Sequence, residues 1–188
     1  MNPNLLGASA GAALAAGWIV LKRRGALSLV SKPVRPERLS QSFNAVEFAS
    51  RGRELAPGSR ELYRALCVKA LQPIRDHAGR VILITNGERK RDHNADVDGA
   101  PDSRHLPPAD RSGGSREGVA CDLRVPGYSA RQTWDLFRWI DAHAESLGVG
   151  GCEFYPKGNF IHIDSRPNRA RWPAKSGRAA WESREGVA

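Results

Sequence analysis

Residues 5–21 form an uncharged apolar stretch that ends at Lys22, Arg23 and Arg24. The stretch is near the lower length limit for a membrane-spanning helix, and Gly7 and Gly11, four apart, allow close helix packing. Met1-Asn2-Pro3-Asn4 lacks the basic start of a cleaved signal peptide. The pattern therefore predicts an uncleaved hydrophobic anchor over residues 1–24. Residues 25–40, with Pro33 and Pro36 among charges, read as a linker.

Beyond the linker the apolar positions become periodic. Leu62, Leu66, Ala70 and Ile74 share one face of a helix that starts at Ser59, its cap, and runs to about His77. Val81-Ile82-Leu83-Ile84 is a short apolar run that predicts a buried strand. Residues 86–117 are rich in Gly, Pro, Asp and Arg and read as loop; residues 118–125 read as a strand. A second helix is capped by Ser129, turns Leu136, Ile140, Ala144 and Leu147 inward, and ends at Gly148. Residues 153–155 and 160–164 then predict paired strands around the turn Pro156-Lys157-Gly158-Asn159. Strands separated by long loops, rather than regular βαβ units, predict an α+β domain over residues 41–173. Its sheet is small and mostly antiparallel, with two main helices packed on it. Residues 174–188 read as a basic tail.

Composition narrows the class. A chain of 188 residues, 40% of them hydrophobic, suits one packed domain with extensions and excludes wholesale disorder. The net charge of +9 points to an anionic partner: nucleic acid, anionic lipid or an acidic cell-wall polymer. Cys67, Cys121 and Cys152 form no C-x-x-C pair, which argues against a disulfide framework and a thiolate zinc site.

The candidate chemistry lies in the histidines. His77 ends the first helix, where a cation suits the dipole, and His143 falls on the second as a surface or packing residue. His105 sits in the loop Asp102-Ser103-Arg104-His105. His162 alternates with Asp164 in Phe160-Ile161-His162-Ile163-Asp164, so both share a strand face while Ile161 and Ile163 take the other. Asp122 lies within an apolar strand. Such groups are costly on a buried face unless they are paired, solvated or bound to metal. Two imidazoles and a carboxylate suit catalytic zinc, because three protein ligands leave one position open; mutual hydrogen bonding is the plainer alternative.

The order of the motifs adds to this. Ser103-Arg104-His105, then Gly118-Val119-Ala120-Cys121-Asp122, follows the pattern S-x-H-x-x-G-x-A-x-D, and His162-Ile163-Asp164 follows H-x-D. With Ile84-Thr85-Asn86-Gly87-Glu88-Arg89 before them, and Gly150-Gly151 and Arg171-Trp172 later, the chain resembles the zinc D-alanyl-D-alanine carboxypeptidase family over roughly residues 40–173. That family shares its fold with the Hedgehog signalling domain. The resemblance implies zinc held by His105, Asp122 and His162, and hydrolysis of peptidoglycan stem or cross-link peptides by a metal-activated water. It implies that Arg89 grips a substrate carboxylate, that Ser103 hydrogen-bonds the peptide and that Tyr155 lines the cleft. Two departures stand out. Residues 106–117 interrupt the first motif, which makes Asp110 a rival ligand to Asp122. Asn159 occupies the place of an acidic base in some relatives, leaving Glu153 and Asp164 as candidates; Asp164 could instead orient a ligand.

The resemblance places the protein in the cell envelope, anchored in the inner membrane with its domain facing the wall. The basic cluster after residue 21 argues for the opposite topology, unless the protein reaches the wall by phage lysis. Two other readings use the same residues. One is a catalytically weak module that binds peptidoglycan or serves a virion or wall structure. The other is a nucleic-acid binder, suggested by Arg166, Arg169, Arg171, Arg178 and Arg184 among Trp172 and Trp181. No nucleic-acid motif is visible, and a solvated basic tail explains those residues more simply.

Overall fold

The computed structural model describes residues 37–50, 54–114 and 116–186. The expected anchor and nearly all of the linker lie outside them. Among the described residues no helix is long and apolar enough to cross a membrane.

The alternating segments pair into one antiparallel sheet. Its strands are β1 (Leu83–Asn86), β2 (Ala120–Arg124), β3 (Gly151–Tyr155) and β4 (Phe160–Asp164), in the order β1-β2-β4-β3. The register brings Cys121, Ile163 and Cys152 into one row and Leu123, Ile161 and Phe154 into the next. All six are buried, and helices cover this face. The helices are α1 (Ser59–Leu66), α2 (Gln72–Ala78) and α4 (Ala130–Ala142). Tyr63 of α1 is fully buried and donates its hydroxyl to the Ala120 carbonyl at 2.9 Å. Trp134 and Phe137 of α4 meet Phe154 with ring centroids 6.0 and 6.4 Å apart.

Several expected boundaries move, each for a local reason. Ser59 is not the cap: Gly58 holds that position with φ of 84°, and Ser59 is the first helical residue. The helix continues through a π-turn (Cys67–Leu71) before α2. Pro73 explains it, because proline offers no N–H to the preceding turn and its ring needs room there. The strand expected at residues 81–84 forms two residues later. As the outer strand it leaves Val81 and Leu83 half exposed while Ile82 turns inward. Ser129 does cap the second helix, in a reciprocal box with Gln132. That helix ends at Ala142, and short turns carry the chain to Gly148 with Ala144 and Leu147 still buried.

The long loop is more ordered than its composition suggests. It holds α3 (Arg91–Asp96), and its interruption folds around Arg111. This buried side chain donates to the carbonyls of Leu106, Glu117, Arg104 and Gly118 at 2.7–3.3 Å. Burial pulls its pKa down to about 10, still charged at neutral pH.

The expected solvated tail is overturned as well. Residues beyond 173 form α5 (Pro173–Ser176) and α6 (Arg178–Glu185). Trp181 packs into the core against Trp134 and Phe154, at 5.5 and 5.2 Å. Its apolar area outweighs the charges around it, which stay on the surface or pair.

Candidate metal centre and cleft

The sheet's other face carries the chemistry. The register sets Asn86, Asp122, His162 and Glu153 opposite one another across all four strands. An irregularity between Ile84 and Asn86 makes this possible, since the extra residue in β1 turns Asn86 toward Asp122. His105 reaches the same point from the loop. Its carbonyl accepts from Arg89 N at 2.7 Å, and its amide donates to Ser103 Oγ at 3.3 Å.

Three atoms converge. His105 Nε2 lies 3.1 Å from His162 Nδ1 and 3.3 Å from Asp122 Oδ1, and His162 Nδ1 lies 3.0 Å from the same oxygen. Each is fixed from behind. His105 Nδ1 is 2.7 Å from the Gly87 carbonyl, which can only accept, so it carries the proton and Nε2 presents a lone pair. His162 Nε2 faces Asp164 Oδ2 at 3.2 Å, which turns Nδ1 into the centre. Asp122 Oδ2 accepts from Asn86 at 2.9 Å and Arg89 at 3.2 Å, which leaves Oδ1 to face the two imidazoles. Asp164 is itself clamped by Arg166, whose Nη2 and Nε reach it at 2.7 and 2.8 Å.

Electrostatics follow the geometry. Burial depresses the pKa of His105, and Asp122 only partly restores it. Burial also works against a charged His162, but hydrogen bonds and charge from Asp122 and Asp164 outweigh it and hold the pKa up at about 9. Burial alone would raise Asp122, yet the two imidazoles hold its carboxyl well below the usual range. Hydrogen bonds through a protonated His162 hold the three atoms together; once that proton is lost, two imidazole lone pairs and a carboxylate oxygen face one point, which suits a cation. The donor set, two nitrogens and one oxygen, fits zinc, and the fixed outer partners are those of metal-binding histidines. Among the described residues no other His, Cys, Asp or Glu group converges in this way.

A cleft of about 410 Å³ opens over these atoms, in the range of small-ligand sites. Arg89, Ser103 and Tyr155 line it. Arg104, Arg166, Trp172 and Lys175 also line it, and sequence reasoning assigned none of these a role there. Asp110 is not part of the cluster and pairs with Arg91 at 3.5 Å. The interruption is closed off by Arg111, so Asp122, and not Asp110, follows His105 in space.

The expected base residues need correction. Glu153 and Asp164 are both completely buried. Glu153 pairs with Arg178 and accepts from Trp172 N at 2.7 Å, and it does not line the cleft. Asp164 spends both oxygens on Arg166, His162 and the Gly151 amide. Neither carboxylate lines the cleft, and Asp164 takes the orienting place that was its alternative. Asn159 turns away too, donating to the Tyr128 carbonyl at 2.8 Å from a left-handed turn position (φ 48°).

The profile of the peptidase M15 family matches residues 41–164, which spans both histidines, the aspartate and the whole sheet. Neither curated proteins nor solved structures give a match.

Proposed function

Because the chain belongs to the peptidase M15 family and is on that ground a metallopeptidase, we propose that it hydrolyses peptidoglycan stem or cross-link peptides with zinc held by His105, Asp122 and His162. The observation that carries this is the convergence of three metal-ligand atom types within 3.3 Å, each oriented by a partner behind it. Zinc bound there supplies Lewis acidity toward the scissile carbonyl and toward water. The chain supplies the rest. Asn86 and Arg89 hold Asp122, Asp164 and Gly87 hold the two imidazoles, and the cleft wall receives the peptide. Arg89 lines the cleft and meets Asp122 through Nη2. The rest of its guanidinium is positioned to take a substrate carboxylate. Arg104, Arg166 and Lys175 share the surrounding wall with Asp98 and Asp102, so it offers partners to both charges of a stem peptide. Ser103 and Tyr155 add hydroxyls for the peptide backbone.

This reading sets the working location at the cell wall, with residues 1–24 as an anchor or with release during phage lysis. Digestion of purified peptidoglycan, with and without a chelator, tests it by mass spectrometry of the released peptides. Zinc-dependent fragments are expected, and His162→Ala is expected to abolish both zinc binding and release. The occupied state of Glu153 and Asp164 favours a second reading, a wall-binding module of low activity. Zinc-loaded protein that sediments with peptidoglycan and releases nothing supports that module and refutes the peptidase.

A further inference from the structure

The row beside the metal-facing row holds an arrangement that the three ligands do not explain. Tyr155 lies opposite Phe160 in the β3–β4 register, one row from Glu153 and His162. Its ring stacks on Phe160, centroids 4.6 Å apart and planes at 6°. Its oxygen accepts from Trp172 Nε1 at 2.7 Å. An indole N–H only donates, so the phenol must act as acceptor in that bond and turn its own hydrogen elsewhere. Tyr155 and Trp172 both line the cleft.

Trp172 is held in turn. Its amide donates to Glu153 Oε2 at 2.7 Å, and its ring meets His162 edge-on at 5.2 Å. Glu153 is completely buried and pairs with Arg178 of α6. A buried ion pair earns little net stability against an apolar replacement. Here it fixes a backbone amide whose side chain aims a hydroxyl.

Resting on the peptidase reading above, we propose that Tyr155 is a catalytic residue that donates a hydrogen bond to the substrate carbonyl oxygen as negative charge gathers on it, and that Trp172 and Glu153 are its positioning residues. The phenol keeps its proton throughout; no bond to hydrogen is broken in this role. Burial pushes its pKa up, which holds it in the donor form at the pH where peptides are cut. A fixed donor aimed at developing charge needs no reorganisation when the charge appears.

The test compares full-length zinc-loaded protein with Tyr155→Phe and Trp172→Phe. Tyr155→Phe keeps the ring and loses the hydroxyl, whereas Trp172→Phe keeps an aromatic ring but loses the indole N–H and part of the ring's area. Zinc affinity, thermal midpoint, peptide-release kinetics on purified peptidoglycan, and affinity for a phosphinate analogue of the cleaved bond are measured. Tyr155→Phe is expected to keep zinc, midpoint and KM while kcat falls by about 10²-fold, the usual loss for one such donor. Phosphinate affinity falls by the same factor, because the analogue carries the tetrahedral oxygen. Trp172→Phe is expected to lose roughly 2–10-fold in both, the weight of one neutral hydrogen bond. Unchanged kcat and phosphinate affinity in Tyr155→Phe overturn the proposal. A loss explained wholly by zinc affinity or by KM overturns it as well. If the unaltered protein holds zinc yet neither releases peptides nor binds the phosphinate, the peptidase reading itself fails, and the role of Tyr155 with it.

Discussion

At the scale of single residues, the site depends on partners one step behind the three converging atoms. Asp164→Asn tests this directly. Asparagine can still accept from His162 but lacks the charge that pairs with Arg166, so zinc affinity is expected to fall by about 10–100-fold. Competition with a chromophoric chelator measures it, and an unchanged affinity shows Asp164 to be mere filler. Arg89→Ala separates two modes of cleavage. Removing the guanidinium should slow substrates with a free terminal carboxylate far more than internal bonds, because the lost contact is to that group. Equal loss on both kinds of substrate shows that Arg89 acts only through Asp122. The converging residues were legible because a His and an Asp on apolar strands must be accounted for. The roles of Glu153 and Asp164 were not. Sequence shows that a carboxylate is near but not that an arginine 25 or 2 positions away already occupies it. The Trp172–Tyr155 bond, between residues 17 apart, leaves no periodic trace at all.

At the scale of elements, strands and capped helices follow the pattern of the chain, whereas boundaries and loops do not. The β3–β4 hairpin was visible because alternation and turn residues agree. The order within residues 106–117 was invisible, since one buried arginine and four carbonyls replace a hydrophobic signal. Arg111→Ala removes the side-chain donor of those carbonyls, of which Arg104 keeps the Ala120 amide, and each buried group left without a donor costs about 1–3 kcal/mol. The expected result is a midpoint lowered by several degrees and zinc affinity weakened, because His105 precedes this loop directly. A heat-stable variant with full affinity would mean that the loop is held by its own turns. The π-turn before Pro73 is a second case: helical periodicity predicted one helix, and proline widened it without ending it.

At the scale of the whole molecule, the domain includes more chain than its motifs. The family match ends at residue 164, but Trp181 belongs to the core and Arg178 neutralises Glu153. A chain cut after residue 173 should therefore expose Trp134 and Phe154 and strand a buried carboxylate, a loss of the order of 3–5 kcal/mol for the broken pair alone. Poor solubility or a collapsed melting transition is the expected outcome. A cut chain that melts like the full one would restore the reading of residues 174–188 as a tail. A chain starting at residue 35, by contrast, keeps every contact within the compact unit of residues 35–188 and is expected to fold.

The placement of that closing segment also orders events during synthesis. All four strands and all three candidate metal ligands precede residue 165, so they leave the ribosome first. The outer edge of β3 stays bare until Ala170 arrives to bond Gly150 and Cys152, and an uncovered strand edge invites pairing with another chain. Trp172 follows, and only then can Tyr155 be aimed. A nascent chain stalled after β4 thus holds a place for metal without a finished wall beside it. On the role proposed for Tyr155, competence to cut would arrive only with translation of the segment that carries Trp172.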